Sequence, residues 1–201
     1  MPRYSLTTIW RFSFLLLAAA LAACTPEAPK FRNTDITGAD FGRELALTAH
    51  DGKPRTLADF RGRLVVLFFG YTHCPDICPT TLADTAAVLK TLGKDAARVQ
   101  VLFVTVDPER DTPEVLAKYV PAFDAGFLGL SGDAAATQRA AKEFKIFYEK
   151  RPGGASGAYT VDHSAQSYVF DAQGRLRLFV RQERIAQDLA ADLRQLLKGD
   201  F

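Results

Sequence analysis

Cys74 and Cys78 are separated by Pro75, Asp76 and Ile77 in the run Phe69-Gly-Tyr-Thr-His-Cys-Pro-Asp-Ile-Cys-Pro79. Thiols this close either cycle between dithiol and disulfide or, as thiolates, hold a soft metal ion. A histidine far along the chain, His163 in Val161-Asp-His-Ser164, adds an imidazole. Two thiolates and one imidazole suit copper or zinc, and the affinity order favours one copper ion, Cu(I) or Cu(II). A structural zinc site is normally closed by four protein ligands, and no convincing fourth stands in the sequence. Only deprotonated thiols coordinate, so oxidation of the pair to a disulfide would expel the metal and binding is redox gated.

The pair needs a strand and a helix to hold it. The apolar run Leu64 to Phe69 predicts a buried strand, and the segment from Pro79 predicts a helix, which puts both thiols on a strand-to-helix loop. Pro79 suits a first helical position and disfavours helical geometry just before it, so Cys78 is expected as the N-cap, its sulfur facing the positive end of the helix and its pKa lowered.

Further along, Val99 to Val106 predicts a second buried strand, Thr112-Pro113 opens a second helix, and Phe127 to Leu130 forms a brief strand. Asp133 caps a helix over Ala134 to Phe144, and Lys145 to Glu149 leads out of it. Tyr168 to Phe170 and Leu176 to Val180 flank a turn at Asp171-Ala-Gln-Gly174, and a last helix runs from Ile185 to Leu197. Ahead of all these, Phe41 to Ala49 and the turn His50-Asp51-Gly52 predict an N-terminal hairpin, with His50 solvated in the turn. Leu82, Ala86, Leu89, Phe144 and Phe147 are expected in the core.

This α/β order, with a mixed central sheet, helices on both faces and a cysteine pair at the end of the first central strand, predicts a thioredoxin-like domain with an N-terminal hairpin extension. Thioredoxin-type reductants space their cysteines by two residues and keep a cis-proline before a late strand. This chain has three residues between the thiols and no proline after Pro152, and His163 stands in the corresponding place. The glycine-rich stretch from Lys150 to Ala158 is expected to be mobile and to let His163 swing.

At the N-terminus, Arg3 and Arg11 precede the apolar stretch Phe12 to Leu21, the pattern of a secretory signal. Its end, Leu21-Ala-Ala-Cys24, resembles the bacterial lipoprotein signal, in which the cysteine is lipidated; an ordinary signal peptide would leave Cys24 a free thiol. The expected organisation is a leader over 1–23, a tether over 24–34 and one domain over 35–201. The protein is then exported and anchored by lipid to a bacterial membrane, on the periplasmic side in a Gram-negative cell. Without the two leader arginines the chain carries 23 basic and 23 acidic residues. That balance gives no support to a nucleic-acid partner.

Three segments together resemble the Sco/SenC family of copper-binding, thioredoxin-fold proteins that help assemble cytochrome c oxidase. They are residues 69 to 82, Val106-Asp-Pro-Glu-Arg-Asp-Thr-Pro113, and Val161-Asp-His-Ser164, in the family's order and spacing. The resemblance implies that Cys74, Cys78 and His163 bind copper and that Asp107 lies close enough to tune them. His73, beside Cys74, is a competing third ligand, and Asp107 can equally serve as a simple turn residue. The implied function is a membrane-tethered metallochaperone. Its implied partners are a copper-accepting subunit of a terminal oxidase, another copper carrier as donor and a thioredoxin-like reductant. The alternative is a thiol:disulfide oxidoreductase acting on the oxidase cysteines. A peroxide reductase ranks last, because Tyr71 stands where a peroxidatic site has threonine.

Overall fold

Seven consecutive buried residues make each of the two central strands, β4 (Leu64–Gly70) and β5 (Val99–Thr105). A strand buried throughout must be covered on both faces, which is the environment that near-continuous Val, Leu and Phe runs select. In the computed structural model, which describes residues 30–152 and 158–199, these strands pair in parallel from Leu64 with Val99 to Gly70 with Thr105. The leader, Cys24, the tether up to residue 29 and residues 153–157 of the glycine-rich stretch lie outside the described residues. No helix among the described residues is long and apolar enough to cross a membrane.

β6 (Leu128–Ser131) continues the sheet parallel to β5, and β9 (Ser167–Phe170) pairs antiparallel to β4 on the other side. β10 (Leu176–Val180) returns from β9, and β1 (Thr34–Asp35) adds to it at the edge. β2 (Ala46–Ala49) and β3 (Pro54–Thr56) form the expected N-terminal hairpin at the opposite edge, giving the order β1-β10-β9-β4-β5-β6-β2-β3. Ahead of the expected domain start at 35, the backbone amides of Arg32 and Asn33 already donate to the buried Asp192 carboxylate.

The helices are α1 (Ile77–Leu92), α2 (Pro113–Tyr119), α3 (Ala134–Glu143) and α4 (Ala190–Lys198). Thr112 and Asp133 cap α2 and α3 as expected, each side chain accepting an amide from the first turn. The predicted last helix opens instead as a π turn over Ile185–Leu189 before becoming α4. That turn and α4 pack against α1, while α2 lies on β6 and α3 on β2. Buried rings fill the space between the layers: Phe69 stands 5.3 Å from Phe144, and the Tyr168 hydroxyl donates to the Phe144 carbonyl at 2.8 Å.

Two local expectations are corrected. Phe147 is 58% exposed, not core. Lys145 takes a left-handed backbone (φ 52°) that turns the chain out of α3, so Ile146 fills the inward position and Phe147 points away. The chain also does more than exit α3: β7 (Tyr148–Pro152) and β8 (Tyr159–His163) form a separate two-stranded sheet, with Tyr148 opposite His163 and Pro152 opposite Tyr159.

Candidate metal centre

The thiols sit where the buried centre of the sheet meets solvent. β4 ends at Gly70, where a Cβ would lie 2.8 Å from the Cys78 sulfur and 2.9 Å from the Phe103 ring. Only glycine lets the sulfur settle against the strand end. The chain then turns through Tyr71, Thr72 and His73, with the Cys74 amide donating to the Tyr71 carbonyl at 3.3 Å.

The expected cap is displaced by two residues. Asp76 is the N-cap, and α1 begins at Ile77, so Cys78 lies inside the first turn. Pro79 costs the helix nothing there, because the first N–H groups of a helix have no partner within it. Cys78's own amide is met by a neighbour: it donates to the Cys74 sulfur at 3.4 Å. It is therefore Cys74 that collects the favourable end of the helix.

This placement polarises the pair. The Cys78 thiol donates to the Cys74 sulfur, and the amides of Asp76 and Cys78 add to it, which together hold the Cys74 pKa down at about 4 against the opposing effect of burial. The shared proton stays on Cys78, whose pKa is raised by that same hydrogen bond and by its burial. The lowered thiol is thus Cys74 and not, as the sequence suggested, Cys78. Both cysteines are free thiols, Cys78 buried and Cys74 half-buried.

His163, the last residue of β8, points its Nε2 at the Cys78 sulfur, 3.3 Å away. Its Nδ1 lies 2.9 Å from the Ser164 carbonyl. A carbonyl only accepts, so Nδ1 carries a proton and Nε2 is the ring nitrogen turned toward the thiols. The rings of Phe68 and Tyr71 meet the imidazole edge-on, at 6.1 Å and 5.8 Å between centroids, and fix its plane. The donor atoms of Cys74, Cys78 and His163 all lie within 4.8 Å of one another. Two soft sulfurs and one imidazole nitrogen, with an open side, form a three-donor cage suited to a thiophilic cation.

A model of the SCO1/SenC family matches residues 33–198, nearly the whole described part. The chain belongs to the SCO1/SenC family. It is 36% identical over 154 residues to the mitochondrial SCO2 homologue of Mus musculus, covering 76% of this chain and 60% of that one. A SCO2-like protein of Rickettsia felis is 34% identical, over 77% of each chain. This SCO1/SenC chain thus spans about 60% of the length of the mitochondrial relatives it matches. Among solved structures, ScoI of Bradyrhizobium japonicum with copper bound is 40% identical, with TM-score 0.71 over 79% of this chain and 99% of that one. Apo Sco1 of Thermus thermophilus, also 40% identical, gives TM-score 0.74 over 85% and 99%. The thioredoxin-like α/β fold expected from the sequence is the fold of these relatives.

In this SCO1/SenC chain the other candidates fall away from the cage. His73 is half-exposed in the turn, its Nδ1 3.1 Å from the Thr72 hydroxyl, and it is not among the three gathered donors. His50 is not merely solvated, since its Nδ1 accepts the Gly129 amide at 3.0 Å and braces the hairpin edge. Asp107 is fully buried, but its oxygens go to Tyr159, 2.7 Å from the hydroxyl, and to Arg110. It reaches the site through the β7–β8 hairpin. Sequence reasoning missed Gly70, Tyr71 and the Ser164 carbonyl. Gly70 and Tyr71 lay inside the quoted cysteine run, and the sign that would have found Gly70 is a glycine ending an otherwise bulky buried strand.

Proposed function

We propose that this protein carries copper to the copper site of a terminal oxidase subunit, tethered to a membrane through Cys24. The observation that carries this reading is the convergence of Cys74, Cys78 and His163, whose donor atoms stand within 4.8 Å of one another although His163 is far along the chain. The donor set fits the cargo. Cys74 is a thiolate at neutral pH, and an incoming cation displaces the remaining proton from Cys78, so uptake is coupled to proton release. Relatives of the chain have been solved with copper bound, in Bradyrhizobium japonicum and Arabidopsis thaliana. A three-donor site leaves a face open, which allows a partner's thiolates to replace these ligands one at a time.

The reading requires that the reduced protein take up one Cu(I) under anaerobic titration, and that X-ray absorption of the product show two sulfurs and one nitrogen. Uptake should vanish in Cys74→Ala or Cys78→Ala. His163→Ala should weaken binding and remove the nitrogen. Undiminished affinity in His163→Ala would exclude the imidazole as ligand, and the carrier assignment with it. The anchor has its own test: the full chain should partition into detergent, and Cys24→Ser should release it.

A second reading rests on the asymmetry of the pair. A half-buried thiolate beside a buried thiol is the arrangement of an attacking and a resolving cysteine, and it supports reduction of a partner's disulfide. Oxidoreductase activity that survives His163→Ala and is lost in either cysteine variant would favour it over carriage.

A further inference from the structure

The two segments that bring the ligands are joined by a third that brings none. The turn from Asp107 to Asp111 follows β5 and holds two fully buried carboxylates, Asp107 and Asp111. A buried carboxylate must be met by donors, and these two draw theirs from different segments, the cysteine loop and β5 for Asp111, the histidine hairpin and the turn's own Arg110 for Asp107. Asp111 accepts from the Thr72 amide at 3.0 Å, the Thr72 hydroxyl at 2.6 Å and the Thr105 hydroxyl at 2.6 Å, which fixes the loop two residues before Cys74. Asp107 accepts from the Tyr159 hydroxyl at 2.7 Å and from Arg110. Arg110 in turn donates to the Tyr159 carbonyl at 2.9 Å and stacks on the Tyr159 ring, 3.6 Å from its centroid. One turn therefore grips the cysteine loop with one end and the histidine hairpin with the other.

The hairpin end of this grip acts on the right face. In a strand, alternate residues share a side, and along β8 the half-buried Tyr159, the buried Val161 and the half-buried His163 alternate with the exposed Thr160 and Asp162. Tyr159 and His163 thus project together toward the body of the protein. Pinning the first sets the rotation of the strand and with it the side on which the imidazole emerges. Tyr71 supports the span between them, its ring lying edge-on to His163.

We propose that Asp107, Arg110 and Tyr159 form a latch that holds the β7–β8 hairpin down on the dithiol loop, so that His163 is set beside the sulfurs before metal arrives. They are positioning residues: none is among the three gathered donors, and they act through His163. The proposal rests on the copper-carrier reading for its purpose, and it gives Asp107 a structural means of tuning the site.

The test uses Tyr159→Phe in the full-length chain held in detergent, which keeps the stacked ring and removes only the hydroxyl, with Asp107→Asn as the second variant. In competition titrations Cu(I) affinity should fall roughly ten- to hundredfold, the range for groups that orient a ligand, with the two sulfurs retained. In a His163→Ala background the same changes should produce no further loss. An equal loss in both backgrounds, or none in the wild-type background, would overturn the latch. Hydrogen exchange of the reduced, metal-free protein gives a reading independent of copper: the amides of Val161, Asp162 and His163 should exchange faster in Tyr159→Phe. If the wild-type chain takes up no Cu(I), the carrier reading fails and this exchange alone decides the latch, unchanged rates refuting it. Should Asp107→Asn not fold, Tyr159→Phe decides by itself.

Discussion

The dithiol loop and the histidine hairpin supply the same site from different kinds of structure. The loop is rooted between β4, buried along its whole length, and the buried face of α1, and its Cys78 sulfur lies against Gly70. The hairpin is a separate two-stranded sheet, exposed along most of β7, with Val161 as the one fully buried side chain of β8. A two-stranded sheet has little stability of its own, so it lies where side chains hold it. The loop therefore presets charge: the proton distribution between the thiols is fixed by a rigid neighbourhood. The hairpin presets only direction. A site built this way can keep its sulfurs fixed while the imidazole answers to separate contacts.

The largest expected effect tests the charge half of that contrast. A free thiol loses thiolate about tenfold per pH unit below its pKa, on the order of a thousandfold between pH 8 and pH 5. Cys74, with a pKa of about 4, should react with iodoacetamide at a nearly constant rate over that range, while Cys78 stays unmodified. The same shift has a sign for stability. A depressed acid binds fewer protons when folded, so Cys74 contributes stability that is complete above its unfolded value near 9.0 and is lost as pH falls through about 4. A Cys74 alkylation rate that falls tenfold per unit from pH 8 would show that the loop does not polarise the pair.

Next comes the difference in local stability. Amides in β4 and β5 should exchange only through global unfolding, whereas those of β8 open locally and should exchange at least about a hundredfold faster. Equal protection in both regions would mean that the hairpin is part of the cooperative core. Gly70→Ala probes the rigid region directly. A methyl group 2.8 Å from the Cys78 sulfur has no free space, and the strand end and helix start cannot both yield. We expect a loss of about 1–3 kcal/mol in denaturant unfolding, the cost of overpacking a close-packed core. Weakened Cu(I) uptake should accompany it.

The same contrast decided what was legible in the sequence. β4, β5 and α1 announce themselves because burial on both faces leaves long apolar runs, and Thr112 and Asp133 mark helix starts through side-chain oxygens. The hairpin has no such signature. Tyr148-Glu-Lys-Arg-Pro152 carries three charges, and in β8 the alternation rests on Tyr159, Val161 and His163, two of which are polar enough to pass for loop. The three gathered donors were named from residue types and motif order. Their polarity was not, because Pro79 was taken to start the helix, whereas the Cys78 amide finds its acceptor in the Cys74 sulfur, a tertiary contact no local rule records. Asp107 was recognised by its motif and not by its partner, since Tyr159 lies fifty-two positions away.

The smallest expected effect separates the two faces of the hairpin itself. Arg151 bridges Glu149 and Asp162 at 2.9 Å each, an ion-pair cluster on the solvent side. All three side chains are about half exposed, and ion pairs in water contribute little because solvation and side-chain entropy offset the attraction. Arg151→Ala should leave the unfolding midpoint, the exchange of the β8 amides and Cu(I) affinity within error of the wild type. The outcome bears on the latch because Asp162 and His163 are adjacent and differ only in the side of the strand they occupy. If removing the outward pairs loosened the hairpin as much as removing the Tyr159 hydroxyl, the hairpin would be held by its own surface charges rather than by the inward grip of Asp107. The direction of His163 would then follow salt concentration, since exposed pairs are screened within about 10 Å at 0.1 M, and Cu(I) affinity would fall as ionic strength rises. An inward latch on the fully buried Asp107 carboxylate is little screened and predicts affinity that holds steady across the same range.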